Sequence, residues 1–113
     1  MSDKRTEMEE CIRKCIECYR VCTETTMHCL EKGGKHAEQS HIRLMIDCAE
    51  MCGTSAHFMV RKSVFHGRTC GVCAEICQTC AEDCQRFPDD PAMKHCAEVC
   101  MSCAESCRSM AKA

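Results

Sequence analysis

Residues 70–84 read CGVCAEICQTCAEDC, and the five cysteines in that stretch, Cys70, Cys73, Cys77, Cys80 and Cys84, are spaced 3, 4, 3 and 4. Side chains three and four residues apart lie on one face of an α-helix, so the spacing predicts a helix with a ladder of thiols along one stripe. The ladder recurs on either side. Cys96, Cys100, Cys103 and Cys107 are spaced 4, 3, 4, and Cys11, Cys15, Cys18 and Cys22 repeat that interval, with Cys29 seven residues further on. Another segment keeps the rhythm in mixed form through His41, Met45, Cys48, Cys52, Ser55 and Met59. Four such stripes need a common axis.

A chain of 113 residues can bury one core, so residues 1–113 read as a single domain. With no Trp, one Tyr and three Phe, much of the apolar volume must come from sixteen cysteines and nine methionines. Protonated cysteine can supply it, behaving as a small hydrophobe. Cysteine at this density usually marks a secreted disulfide scaffold, yet two features predict reduced thiols. The opening MSDKRTEMEE has no apolar signal segment or twin-arginine motif, and no run approaches the roughly 20 apolar residues of a membrane span, so a cytoplasmic, reducing setting is expected. Cysteines along one helix stripe also cannot all pair within it without strain. The formal net charge of -2, with acids and bases interspersed, offers no basic patch, and neither nucleic acid nor membrane is expected as a partner.

Punctuation along the chain divides it into helices at about 4–33, 35–64, 67–87 and 91–110. The first is expected to open at Thr6 with a Thr6/Glu9 capping box and to stop at Gly33-Gly34. The second is the poorest in sulfur; its flanking Ile42, Leu44, Ile46, Phe58 and the nearby Phe65 make it a candidate subunit contact. Gly53 within it reads as a close-packing residue. Before the fourth helix stands Pro88-Asp89-Asp90-Pro91, in which Asp90 can cap and Pro91 can occupy the first turn. No alternating β-branched run appears, and the connections are short. The fold class that follows is all-α: an antiparallel up-down-up-down four-helix bundle with a cysteine-lined core. CAEICQTCAEDC and CAEVCMSCAESC repeat one unit, with an alanine beside each seam small enough to let helices approach.

Cys-x-x-x-Cys occurs seven times, at 11/15, 18/22, 48/52, 73/77, 80/84, 96/100 and 103/107. Two inward sulfurs one turn apart can hold one soft metal, and thiolate sites of low coordination number select Cu(I). If each ion takes two sulfurs and each sulfur bridges two ions, capacity is about one Cu(I) per cysteine, roughly 16. Buried thiolates need compensation, and monovalent ions in that ratio sum with them to zero. Zn(II) in closed four-thiolate sites would leave two negative charges per site and suits stripes less well. Cysteine as mere core filling is disfavoured, because leucine or alanine would pack a bundle without oxidation risk. Cys70, Cys73, Cys77 and Cys80 also spell C-x2-C-x3-C-x2-C, close to an iron–sulfur run, but such ligands normally sit on loops. An iron–sulfur or electron-transfer protein, or a zinc-binding or structural bundle, stands as the alternative. No catalytic serine, acid pair or phosphate loop is evident, and no enzymatic turnover is expected.

These residues resemble the cytosolic copper storage proteins, the Csp family of cysteine-lined four-helix bundles. The resemblance runs from Cys11 to Cys107 and rests on repeated C-x-x-x-C on several helices. It implies bacterial or archaeal storage of multiple Cu(I) ions in the bundle core, a fold already formed without metal, and assembly as a homotetramer. It also implies exchange partners of the metallochaperone or copper-requiring enzyme kind. A departure is the second helix, with only Cys48 and Cys52. Antiparallel topology further brings His41, Met45 and Met93 to one end, in stripe with Cys29, Cys84 and Cys96, where weaker imidazole and thioether donors could accept an arriving ion. Met8, Met59, Met110 and His66 mark the opposite end as a competitor, and His28, His36, His57 and His95 read as surface residues.

Overall fold

Where the chain turns decides how the stripes meet. The computed structural model describes residues 4–112. α1 spans Lys4–Lys32, so Thr6 and Glu9 lie inside the helix and Thr6 is not its cap; nothing in Lys4-Arg5 breaks a helix, and both are good formers. At the far end Gly33 and Gly34 both take positive φ, 71° and 56°, and the Gly33 amide closes on the Cys29 carbonyl at 3.1 Å, the left-handed ending that glycine permits.

The second helix is shorter than the sequence reading. Residues Gly34–Ala37 form a separate 3-10 turn, extended Glu38 redirects the chain, and α2 runs Gln39–Val60. It ends in a Schellman arrangement, with the Ser63 amide on the Phe58 carbonyl and the Lys62 amide on that of Met59, both at 3.0 Å. Lys62 takes the left-handed position (φ 53°) that glycine usually occupies, a stop with no glycine signal. α3 spans His66–Cys84 and α4 Pro91–Ala111. Asp90 caps α4 as expected, its Oδ1 accepting from the Ala92 amide at 3.0 Å, with Pro91 in the first turn.

α1 packs on α2 and α4, and α3 on the same two, leaving α1 opposite α3 and α2 opposite α4 in a four-sided antiparallel bundle. All sixteen cysteines are fully buried and none is in a disulfide. Ala49, Ala74, Ala81, Ala97 and Ala104 are buried beside the seams, allowing the close approach their size predicts. Gly53 does not serve that purpose: a Cβ there would meet nothing within 4 Å. Among the described residues no helix is long and apolar enough to cross a membrane.

Candidate metal centre

Because every stripe points inward, sulfur atoms from different helices come into contact along the axis. Cys22 lies 3.8 Å from Cys96, 3.4 Å from Cys100 and 3.7 Å from Cys48. Cys48 reaches Cys77 at 3.7 Å, Cys77 reaches Cys52 at 3.5 Å, and Cys52 lies 3.7 Å from Cys73 and 3.9 Å from Cys103. Cys103 touches Cys15 at 3.7 Å, and Cys107 follows at 3.4 Å from Cys15 and 3.7 Å from Cys11. Cys18 bridges Cys22 and Cys100, at 3.8 Å from each. The result is one continuous column of thiols rather than separate pockets. From Cys22 to Cys11 it follows about 17 Å of α1 at the helical rise, and Cys29 stands about two turns beyond, against His41 and Met93.

Several groups of four sulfurs lie within 4.8 Å of one another, and they overlap. Cys18, Cys22, Cys48 and Cys100 form one, and Cys18, Cys48, Cys52 and Cys77 the next. Cys52, Cys73, Cys77 and Cys103 form a third, and Cys15, Cys73, Cys103 and Cys107 a fourth. Neighbouring groups share ligands, so closing one around a private metal removes donors from the next. The iron–sulfur spacing on α3 does not gather its four thiols. Cys70 and Cys80, ten residues apart, are separated by about 15 Å of helix, with Cys70 beside Ser55 at 3.3 Å and Cys80 beside Met45 at 3.5 Å.

The column ends differently at its two poles. Where α1 and α3 finish and α2 and α4 begin, Cys29 lies 3.3 Å from His41 Nε2 and 3.5 Å from the Met93 sulfur. The Met45 sulfur accepts from both Cys80 and Cys84 at 3.5 Å. His41, Met45 and Met93 are all buried, as the stripe placed them. His41 Nδ1 is held by Asp83 Oδ2, while Asp83 Oδ1 accepts from Arg86 Nε at 2.8 Å. Burial pushes the Asp83 carboxyl up, but the His41 and Arg86 hydrogen bonds outweigh it and hold its pKa below the ordinary value. Burial, reinforced by the charges of Cys96 and Asp90, pushes the Cys29 thiol up to about 11. At the opposite pole Met59 and Met110 are buried, but His66 donates Nδ1–H to the Ser63 carbonyl at 2.8 Å, and Ser55 rather than imidazole meets the last thiol.

Two histidines read as surface residues belong to this first pole. His28 Nε2 and His36 Nε2 approach the same Asp90 oxygen, Oδ2, at 2.8 and 3.0 Å. The buried Phe87 ring lies between His36 and His41, with centroids 4.1 and 5.4 Å away. The hydrogen bond from His28, more than any other contact, brings the Asp90 carboxyl down to about 2. His57 and His95 are exposed as expected. The sequence offered one sign of the cluster, an aspartate before a helix-opening proline; its partners lie 62 and 54 residues away.

A family model described as Csp, copper storage protein, matches residues 4–112. Among solved structures, the Nmul_A1745 protein from Nitrosospira multiformis superposes with a TM-score of 0.89 at 48% identity, over 94% of this chain and 95% of that one. The Cu(I)-bound copper storage protein BsCsp3 gives 0.87 at 37% identity, over 93% and 98%. A cytosolic copper storage protein from Streptomyces lividans, in a form with five coppers, gives 0.83 at 27%, over 96% and 95%. The match to a curated relative, the cysteine-rich protein YhjQ of Bacillus subtilis strain 168, is 38% identical over 68 residues and spans 60% of this chain and 63% of that protein.

Proposed function

The chain belongs to the copper storage protein (Csp) family, and from that premise we propose that it stores and sequesters multiple Cu(I) ions on the thiolates of its bundle core. The observation that carries this reading is the overlap of the four-sulfur groups. A column in which neighbours share thiols suits a monovalent soft ion whose sulfurs bridge, with each Cu(I) replacing one thiol proton and leaving the core neutral. Divalent ions in closed four-thiolate sites could fill only non-overlapping groups and would leave net negative charge in a buried interior. The ligands are all sixteen cysteines, with His41 and Met45 as weaker donors at one pole. Retention without turnover of a substrate is the role, a copper metallochaperone or copper-requiring enzymes are the exchange partners, and the cytoplasm is the setting, the last supported by the cytosolic relative from Streptomyces lividans.

Copper enters at the pole of His41 and Met45. Imidazole and thioether there bind Cu(I) less tightly than thiolate, so they can receive an ion and release it inward to Cys29, Cys80 and Cys84. Copies of the chain associate through apolar side chains that the bundle leaves outside: Ile16 and Tyr19 on α1, Ile46 and Val60 on α2 and Phe65 in the turn that follows are each about half exposed or more. A monomeric mass in light scattering at micromolar concentration would contradict that association.

Exchange between metals tests the storage reading. Reduced protein first equilibrated with Zn(II) is expected to release all of its thiol-bound zinc when Cu(I) is added under anaerobic conditions. Retention of thiol-bound zinc in the presence of excess Cu(I) would instead assign the core to closed divalent sites.

A further inference from the structure

We infer that His28, His36 and Asp90 form a second metal site, outside the thiol column, for a borderline divalent cation of the Zn(II) class. Three elements deliver the donors: the last turns of α1, the 3-10 turn and the residue capping α4. Both imidazoles turn the same atom, Nε2, toward the single oxygen Asp90 Oδ2. A tie between helix ends would need only one of them. The other carboxylate oxygen is already committed to the Ala92 amide, which fixes the orientation of the ligand oxygen, and Phe87, packed against His36 at an interplanar angle of 38°, holds that ring.

The donors are also reachable. Side-chain exposures are 32% for His28, 17% for His36 and 11% for Asp90, and a surface groove bordered by Lys32, Arg86 and Asp89 opens onto His36 and Asp90. Donors about 2.0–2.1 Å from a tetrahedral ion lie about 3.3–3.4 Å apart. The present separations of 2.8 and 3.0 Å therefore need only widen by a few tenths of an ångström when each Nε2 turns a lone pair, rather than a proton, to the ion. Two imidazoles and a carboxylate suit Zn(II), whereas Cu(I) prefers the sulfur beyond Phe87. The two sites thus sort metals by donor type on either side of one aromatic ring.

The test is anaerobic Zn(II) titration against a competing chelator, on protein first saturated with Cu(I), comparing wild type with the His28→Ala/His36→Ala double variant. Wild type is expected to bind about one Zn(II) more than the variant, with equal Cu(I) capacity in both. Asp90→Asn, which keeps the capping oxygen, is expected to lose about tenfold or more in Zn(II) affinity. Repeating the comparison on copper-free protein keeps the difference readable even if Cu(I) storage itself fails. In wild type alone, Zn(II) is expected to shift the imidazole nitrogen resonances of His28 and His36, a readout that needs no variant. Equal zinc binding in wild type and double variant, or unmoved His28 and His36 resonances at saturating Zn(II), would overturn the inference.

Discussion

The sulfur of Cys29 lies 3.3 Å from Nε2 of His41, at the point where a column of thiols gives way to nitrogen. Asp83 makes this contact directional. Its carboxylate, held ionised by His41 and Arg86, can only accept, so Nδ1 carries a proton, and in the neutral imidazole that leaves the Nε2 lone pair facing the column. Met45 continues the path to Cys80 and Cys84.

Removing the two weaker donors is therefore expected to slow Cu(I) uptake without changing how much is held. Replacing Met45 with alanine would open a cavity costing about 2–5 kcal/mol, so the informative double variant is His41→Ala with Met45→Leu, which removes the sulfur and keeps the volume. Stopped-flow loading under anaerobic conditions should slow by about tenfold or more. Unchanged kinetics there, with slowing in a Met59→Leu/His66→Ala variant, would move the entrance to the other pole.

The Cys29 thiol carries a pH consequence for the metal-free protein. Burial raises its pKa from 9.0 to about 11, so between those values the folded state keeps a proton that the unfolded chain releases. Its stabilising contribution is complete below pH 9 and is lost as pH rises through about 11. Thermal melts of the reduced, metal-free protein should thus fall in Tm across that window, and less so for Cys29→Ser. An equal fall in both proteins would remove Cys29 from the explanation.

Much of this arrangement was legible in the order of residues, because a 3-4 spacing of cysteines leaves one helical face to carry them. It correctly placed His41, Met45 and Met93 at one pole. What it could not convey were contacts set by turns. Lys35, His36 and Ala37 read as the start of the second helix, but two successive positive-φ glycines push them into a 3-10 turn, and that turn swings His36 toward Asp90. The Schellman stop at Lys62 lacked the glycine that normally announces it. Asp83 carried no signal of its own within CAEDC, and only the α2–α3 packing sets it against His41.

Asp90 joins a helix cap to two imidazoles, and the two roles are separable. Asp90→Ala should destabilise the protein by about 0.5–2 kcal/mol through loss of the cap alone. Asp90→Asn should recover most of that loss, since asparagine caps about as well as aspartate. Denaturant melts at pH 7 would check this; equal destabilisation by both substitutions would show that the carboxylate charge, rather than the capping oxygen, holds the start of α4.

The number of Cu(I) ions held at saturation tests storage on shared thiols most directly. With overlapping groups along the middle of the bundle and all sixteen thiols free and buried, anaerobic titration of the reduced protein against a competing chelator should plateau near one Cu(I) per thiol, about 16 per chain, with about one proton released per ion. A plateau near four ions per chain, each with four thiolates to itself, would contradict it.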